Sequence, residues 1–223
     1  YLHNGLSHTT ITYLEVAEAA KRYGIEEIVA TTGMTLSMGA DVTLTVLNPS
    51  DTPLRGTRSD LNSNSVVIRL DHGDISFLFT GDAEEPTERA MLRRGIEPVD
   101  VLKVAHHGSN HSTSYGFLQA VKPSIAVITC GEGNRYDHPG EETVQRLTDA
   151  EIWTLRTDLS GHIRFVSNGT EVEAFEGALS EMGPTWPLGP LPVAPGTMTV
   201  AVETVPDAQA ESGPGRVSSG IMP

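Results

Sequence analysis

Between Asp82 and His138 lie four side chains of the kinds that bind divalent cations, each placed just after an apolar run. The segments read LFTGDAE, LKVAHHGSNHSTS and ITCGEGNRYDHP. Asp82 follows the first run, His106 and His107 follow the second, and His138 lies just beyond the third. A strand that ends in Asp or His leaves that side chain at the rim of a sheet, where loops bring several together. Such an open rim suits a catalytic metal better than a closed structural one.

Each residue also has a plainer reading. Gly81 permits a tight turn and the close approach of a ligand. Asp82 can coordinate one metal or bridge two, or it can serve as a turn residue or helix cap. Adjacent strand residues point to opposite faces, so His106 and His107 share a site only if the strand has ended and the turn at Gly108 redirects one of them. Ser109, Asn110, His111, Ser112, Thr113 and Ser114 offer hydroxyls and an amide to a phosphate or carboxylate, beside a helix start that favours anions. Ser109, Ser112 and Thr113 are the candidate substrate contacts, and Arg135 is a candidate phosphate clamp. His138 precedes Pro139, which holds its backbone extended and its imidazole in one direction. The plainer reading there is a proline-terminated surface loop. Cys130 reads as a small buried residue rather than a nucleophile. Asn62 to Ser65 reads as a turn former. Asp158 and His162 belong to what reads as a structural hairpin turn.

The chain has 223 residues and a formal net charge of -14. That charge repels polyanions and gives no basic surface for nucleic acid. It leaves a nuclease possible, because bound cations offset charge locally. The single cysteine, Cys130, excludes an intrachain disulfide framework and a cysteine zinc cluster. No run is long and apolar enough for a membrane span, so no membrane contact is expected from this segment. No signal peptide is read at the N-terminus, and the missing Met start suggests a chain that begins inside a longer protein.

The positioning elements follow from pattern. A helix is expected over Thr12–Tyr23, with Leu14, Val16, Ala17, Ala20 and Tyr23 as its stripe, Thr12 and Glu15 as a capping box and Gly24 as its stop. Strands are expected over Glu27–Ala30 and Val42–Leu47, then a loop from Pro49 to Asn64. A hairpin of Val66–Leu70 and Ile75–Thr80 turns at Gly73. Helices Glu84–Arg94, Ser114–Val121 and Glu141–Ala150 alternate with strands Val99–Ala105, Ser124–Thr129 and Ile152–Arg156. Strands His162–Val166 and Glu171–Phe175 close a domain spanning residues 1–176. This alternation predicts an α/β layered domain. Beyond it, residues 177–223 hold eight of the 14 prolines, a composition of linker or disordered tail, with Thr197–Val205 as one strand-like exception.

Taken in order, NSNSVVIRLDHGDISFLFTGDAE, DVLKVAHHGSNHSTSYGFL, KPSIAVITCGEGNRYDHP and LRTDLSGHI resemble the metallo-β-lactamase fold. Within it they are most similar to the β-lactamase-like domain of ComEC-type bacterial DNA-uptake (competence) proteins. The likeness covers about Asn62 to Phe175. It implies an αββα sandwich with a metal site at the sheet edge, lacking its N-terminal part here. It also implies that Asp82, His106 and His138 are metal ligands, with Asp82 often bridging. His107 and His138 would act in catalysis, on zinc or manganese, two ions in a complete domain. The implied chemistry is hydrolysis by water activated on the cation. It implies a phosphodiester substrate, single-stranded DNA among the candidates, in the soluble or extracytoplasmic part of a membrane protein.

The chain departs from that family in one respect. The His-x-His-x-Asp-His motif expected upstream of the first helix is absent, and only His3 and His8 stand there. Either a first part of the domain lies outside this chain or the member is divergent. In both cases the expectation is a chain that displays the site without being able to run it. Two other readings remain open: a degenerate, non-catalytic binding or scaffold module, and a hydrolase of small esters, lactones or thioesters.

Overall fold

The computed structural model describes residues 1–39 and 41–177. Its centre is a seven-stranded sheet whose strands lie side by side in chain order. Before it, β1 (Leu2–His3) pairs in parallel with β2 (Ile28–Val29), and α1 (Ile11–Arg22) lies between them in sequence. The sheet itself runs β3 (Thr35–Ser37), β4 (Val42–Asn48), β5 (Val67–His72), β6 (Ile75–Phe79), β7 (Val101–Lys103), β8 (Ile125–Ile128) and β9 (Trp153–Arg156). Pairing is antiparallel as far as β6 and parallel from β6 to β9. A short helix α2 (Asp60–Ser63) sits inside the expected loop before β5.

Parallel neighbours need a crossover. Here the three crossovers are α3 (Glu85–Arg94), α4 (Tyr115–Val121) and α5 (Glu141–Asp149). Leu78, Leu102 and Ala126 are register partners and therefore share one sheet face. They form a core with Met91 of α3, Phe117, Leu118 and Val121 of α4, and Leu147 of α5. All three helices thus cover that face. On the other face, Phe77 meets Phe165 edge-on at 6.0 Å between ring centroids. Phe165 belongs to the separate antiparallel hairpin β10 (His162–Ser167) and β11 (Val172–Gly177), reached through the short helix α6 (Thr157–Ser160). The layer order is helices, large sheet, small sheet, the mixed α/β arrangement expected.

Several expectations need correction. Helix α1 is capped by Thr10, whose hydroxyl accepts from the Tyr13 amide, rather than by Thr12. Its apolar stripe is not buried: Leu14, Val16 and Tyr23 are exposed and only Ala20 is covered. Strand β7 stops at Lys103, two residues short of the expected Ala105, and β5 continues to His72, where it pairs with Ile75. Thr157 to Ser160 is helical rather than a hairpin turn, so β9 and β10 belong to different sheets. Thr197–Val205 and the rest of the expected tail lie outside the described residues, apart from Gly177, which closes β11. No helix among the described residues is long and apolar enough to cross a membrane.

Candidate metal centre

Because β6, β7 and β8 are parallel and in register, their carboxyl ends share one edge of the sheet. Open α/β sheets bind ligands at such an edge. The loop after β6 carries Asp82, the loop after β7 carries His106 and His107, and the loop after β8 carries His138.

The early end of β7 answers the question raised by two adjacent histidines. His106 and His107 lie in a tight turn at Ala105–Gly108, with φ of 48° and 55°. Left-handed backbone at consecutive residues abolishes the strand alternation, and both rings reach the same region. The His106 and His107 ring centroids lie 5.7 Å and 6.5 Å from that of His138. Asp82 Oδ1 stands 3.6 Å from His107 Nε2. Gly108 makes the close packing possible: at φ +82° it touches the last loop, and an added Cβ would lie 2.6 Å from Pro139 Cβ.

Two of the imidazoles are oriented from behind. His107 Nδ1 lies 2.6 Å from the Thr129 carbonyl oxygen, an acceptor that requires a proton on Nδ1 and leaves Nε2 facing Asp82. His106 Nδ1 is buried, lies outside hydrogen-bond geometry and stands 3.4 Å from Glu84 Oε1. Glu84 is 2 % exposed. Its Oε1 accepts from Asn62 Nδ2 at 3.2 Å and lies 3.6 Å from Arg58. A carboxylate behind an imidazole is the usual device for fixing a metal-binding histidine. Burial first, and then the neighbouring His106 and His107, hold His138 below its ordinary pKa, so its ring is neutral and free to coordinate at neutral pH. Lys103, at the end of β7, is likewise held below the usual lysine range by burial, while the charge of Asp82 pulls the other way.

Nitrogen and carboxylate donors of this kind fit a cation such as zinc or manganese in chemical type. The ligand shell is not closed: among the described residues no three His, Cys, Asp or Glu side chains are arranged to hold a metal ion. The residues that would hold one are Asp82, His106, His107 and His138.

The polar run after the histidines is placed differently from its sequence reading. Ser109, Ser112 and Thr113 are all buried. Ser112 Oγ is 3.0 Å from the carbonyl oxygens of both Ala105 and Ser109, and the Ser109 carbonyl also accepts from Thr143 Oγ1. Thr113 Oγ1 is enclosed without a hydrogen-bond partner. The anion at the start of α4 is internal: Glu88, 1 % exposed, accepts from the amides of Thr113 and Ser114. The Ser109 and Ser112 hydroxyls therefore bond within the loop, and all three side chains are buried away from an open substrate surface. Arg135 is exposed, beside His138, with its guanidinium 4.7 Å from the centre of the Tyr136 ring. His111 makes no ring contact with the other three histidines and lies by Arg58 and Arg146 instead.

Sequence reasoning passed over three positioning residues. Glu84 stood inside the quoted LFTGDAE, and the only available signal was a carboxylate two residues beyond a ligand. Asn134 holds the last loop: its Oδ1 accepts from the amides of Tyr136 and His138, and its Nδ2 donates to the His138 carbonyl. Ser65 Oγ, in a segment read as a simple turn, accepts from the Asp82 amide at 3.1 Å. Replacing Glu84 with Ala is expected to weaken divalent-cation binding about 10- to 100-fold, the usual cost of losing such a partner. Isothermal titration with Mn2+ checks this, and ring nitrogen shifts of His106 should show loss of a single tautomer.

No family model matches the chain. Over 107 residues it is 39% identical to ComE operon protein 3 of Bacillus subtilis, covering 47% of this chain and 14% of that protein. Over 108 residues it is 41% identical to competence protein ComA of Neisseria gonorrhoeae, covering 48% of this chain and 16% of that protein. The chain thus matches only a small part of the length of these relatives. Among solved structures, CmlA, a diiron beta-hydroxylase from Streptomyces venezuelae, superposes with a TM-score of 0.45 at 14% identity, over 71% of this chain and 36% of that one. The likeness to competence proteins read from the sequence is shown by these relatives.

Proposed function

We propose that the chain carries part of a metal-dependent phosphodiesterase centre, with single-stranded DNA as its substrate. The observation that carries this is the meeting of Asp82, His106, His107 and His138 at one sheet edge, with the His107 ring backed by an acceptor at Nδ1 and the Glu84 carboxylate close behind His106. The competence names of the relatives support DNA as the substrate class.

A bound cation would supply Lewis acidity and bring the pKa of water down toward about 7. The residues of this chain do the rest. Asp82 offers the anionic donor, and Thr129 and Glu84 fix the two adjacent rings. His138, beside the other two rings, would accept or donate a proton at a ring nitrogen not taken by the cation. Arg135 supplies positive charge at the rim of a strongly acidic chain. A second reading, a non-catalytic module, is favoured by the unclosed ligand shell.

The two separate on cleavage of a single-stranded oligonucleotide by the protein in its longest natural form, with Mn2+ or Zn2+ supplied. Cation-dependent cleavage that disappears in Asp82→Ala is the expected result. Absence of cleavage with either cation, or cleavage untouched by the substitution, would remove the hydrolase reading.

A further inference from the structure

A cleft of about 460 Å³ opens directly beside the metal edge. His107 and His138 form part of its wall, so it is continuous with that edge. Thr129, Cys130, Thr157 and Tyr136 also line it. A volume of this order fits a small planar ligand.

Away from the ring nitrogens that face the metal edge, most polar side chains of this wall are already engaged. Asn134 holds its own loop through four hydrogen bonds. Thr157 Oγ1 donates to the Cys130 carbonyl and accepts from the Cys130 amide. His107 Nδ1 is taken by Thr129. The Cys130 thiol is pushed up to about 11 by burial and stays protonated. What remains for a ligand is aromatic surface. Tyr136 is 62% exposed. Its ring lies 24° from the plane of His138, which lies 18° from that of His107, giving three nearly parallel rings. The Arg135 guanidinium extends the series over Tyr136.

We propose that this cleft receives a nucleobase next to the scissile phosphate of a single strand, stacked against the wall formed by Tyr136 and Arg135. The assignment rests on the reading of the metal edge as a phosphodiester site. A single strand is required because its bases are free to leave their neighbours. The exposed Tyr136 ring would hold any base by its face, as sequence-tolerant stacking platforms do. Arg135 adds positive charge beside Tyr136, on a chain whose overall charge opposes binding.

The test uses a five-nucleotide thymidylate strand with a fluorescent end label, and the same strand with one internal abasic position. The protein should bind the intact strand about ten-fold more tightly, the lower part of the range for one stacked base. Tyr136→Ala should remove that difference and Tyr136→Phe should keep it, while exchanging thymine for adenine should change affinity by less than about three-fold. Equal binding of intact and abasic strands by the unaltered protein would overturn the assignment, as would a base preference that survives Tyr136→Ala. Because the readout is binding, it is separable from catalysis. Stacking without any cleavage would leave this site standing and remove the hydrolase reading, whereas cleavage with an unaffected Tyr136→Ala would remove this site alone.

Discussion

Replacing Glu88 by Ala is expected to destabilise the fold by about 3 kcal/mol, because one buried and one half-buried amide lose their acceptor at once. The carboxylate reaches from α3 to the amides of Thr113 and Ser114, the latter being the cap of α4. Each buried donor left without a partner costs about 1–3 kcal/mol, and the vacated volume adds to that. The loop so released is the one that carries His106 and His107, so the damage would reach the metal edge as well. Glu88→Gln keeps an acceptor in place and should cost less.

The same residue gives a pH signature. Burial pushes the Glu88 carboxyl above its ordinary value, with the Ser114 and Thr113 contacts opposing that only in part. The folded protein then holds a proton that the unfolded chain has already released. Between the ordinary carboxylate value of 4.5 and the raised native one, stability therefore falls as pH rises. Below that window both states are protonated, and above it both are ionised, so the contribution is flat on either side. Denaturant titrations across this window should show a fall in the unaltered protein that is missing from Glu88→Gln. An identical pH dependence in the two would refute the assignment.

The second large effect is expected at Asp82. Its carboxylate stands 3.6 Å from the His107 ring nitrogen and is about 41% exposed. Asp82→Ala should lower affinity for Mn2+ or Zn2+ more than the 10- to 100-fold assigned to a supporting partner such as Glu84, since a direct ligand is lost. It should also abolish cation-dependent cleavage. Stability should change little, because the side chain is partly open to water and the Asp82 amide, not its carboxylate, makes the bond to Ser65. Metal titration beside a melting curve separates the two effects. A variant that melts like the unaltered protein and binds Mn2+ equally well would contradict the role.

Much of this was legible before any coordinates. Alternation of apolar runs with helical stretches announced the parallel part of the sheet, and parallel strands deliver their ends to one edge. That is why Asp82, His106, His107 and His138 could be grouped from their positions after three runs. What could not be read is the local backbone. Nothing in VAHHGS shows that β7 ends at Lys103, yet that early end is what lets both histidines face one site. Nor does a run of hydroxyls show that Ser112 and Thr113 point inward. The reason lies on α3, 25 residues away in sequence, where Glu88 supplies the anion that a phosphate would otherwise have been expected to supply. The stripe of α1 misled in the opposite sense: its periodicity is that of a packed helix, but Leu14 and Val16 face outward here.

The central claim is that the edge formed by β6, β7 and β8 is a cation site. The most direct test is paramagnetic broadening of the imidazole signals by small additions of Mn2+. The protein has eight histidines, which supply their own controls. The rings of His106, His107 and His138 should broaden first, and Asp82→Ala should remove that priority. If they broaden no sooner than His72, which bonds to Ser167 at the other end of β5 and β6, the edge does not bind a cation.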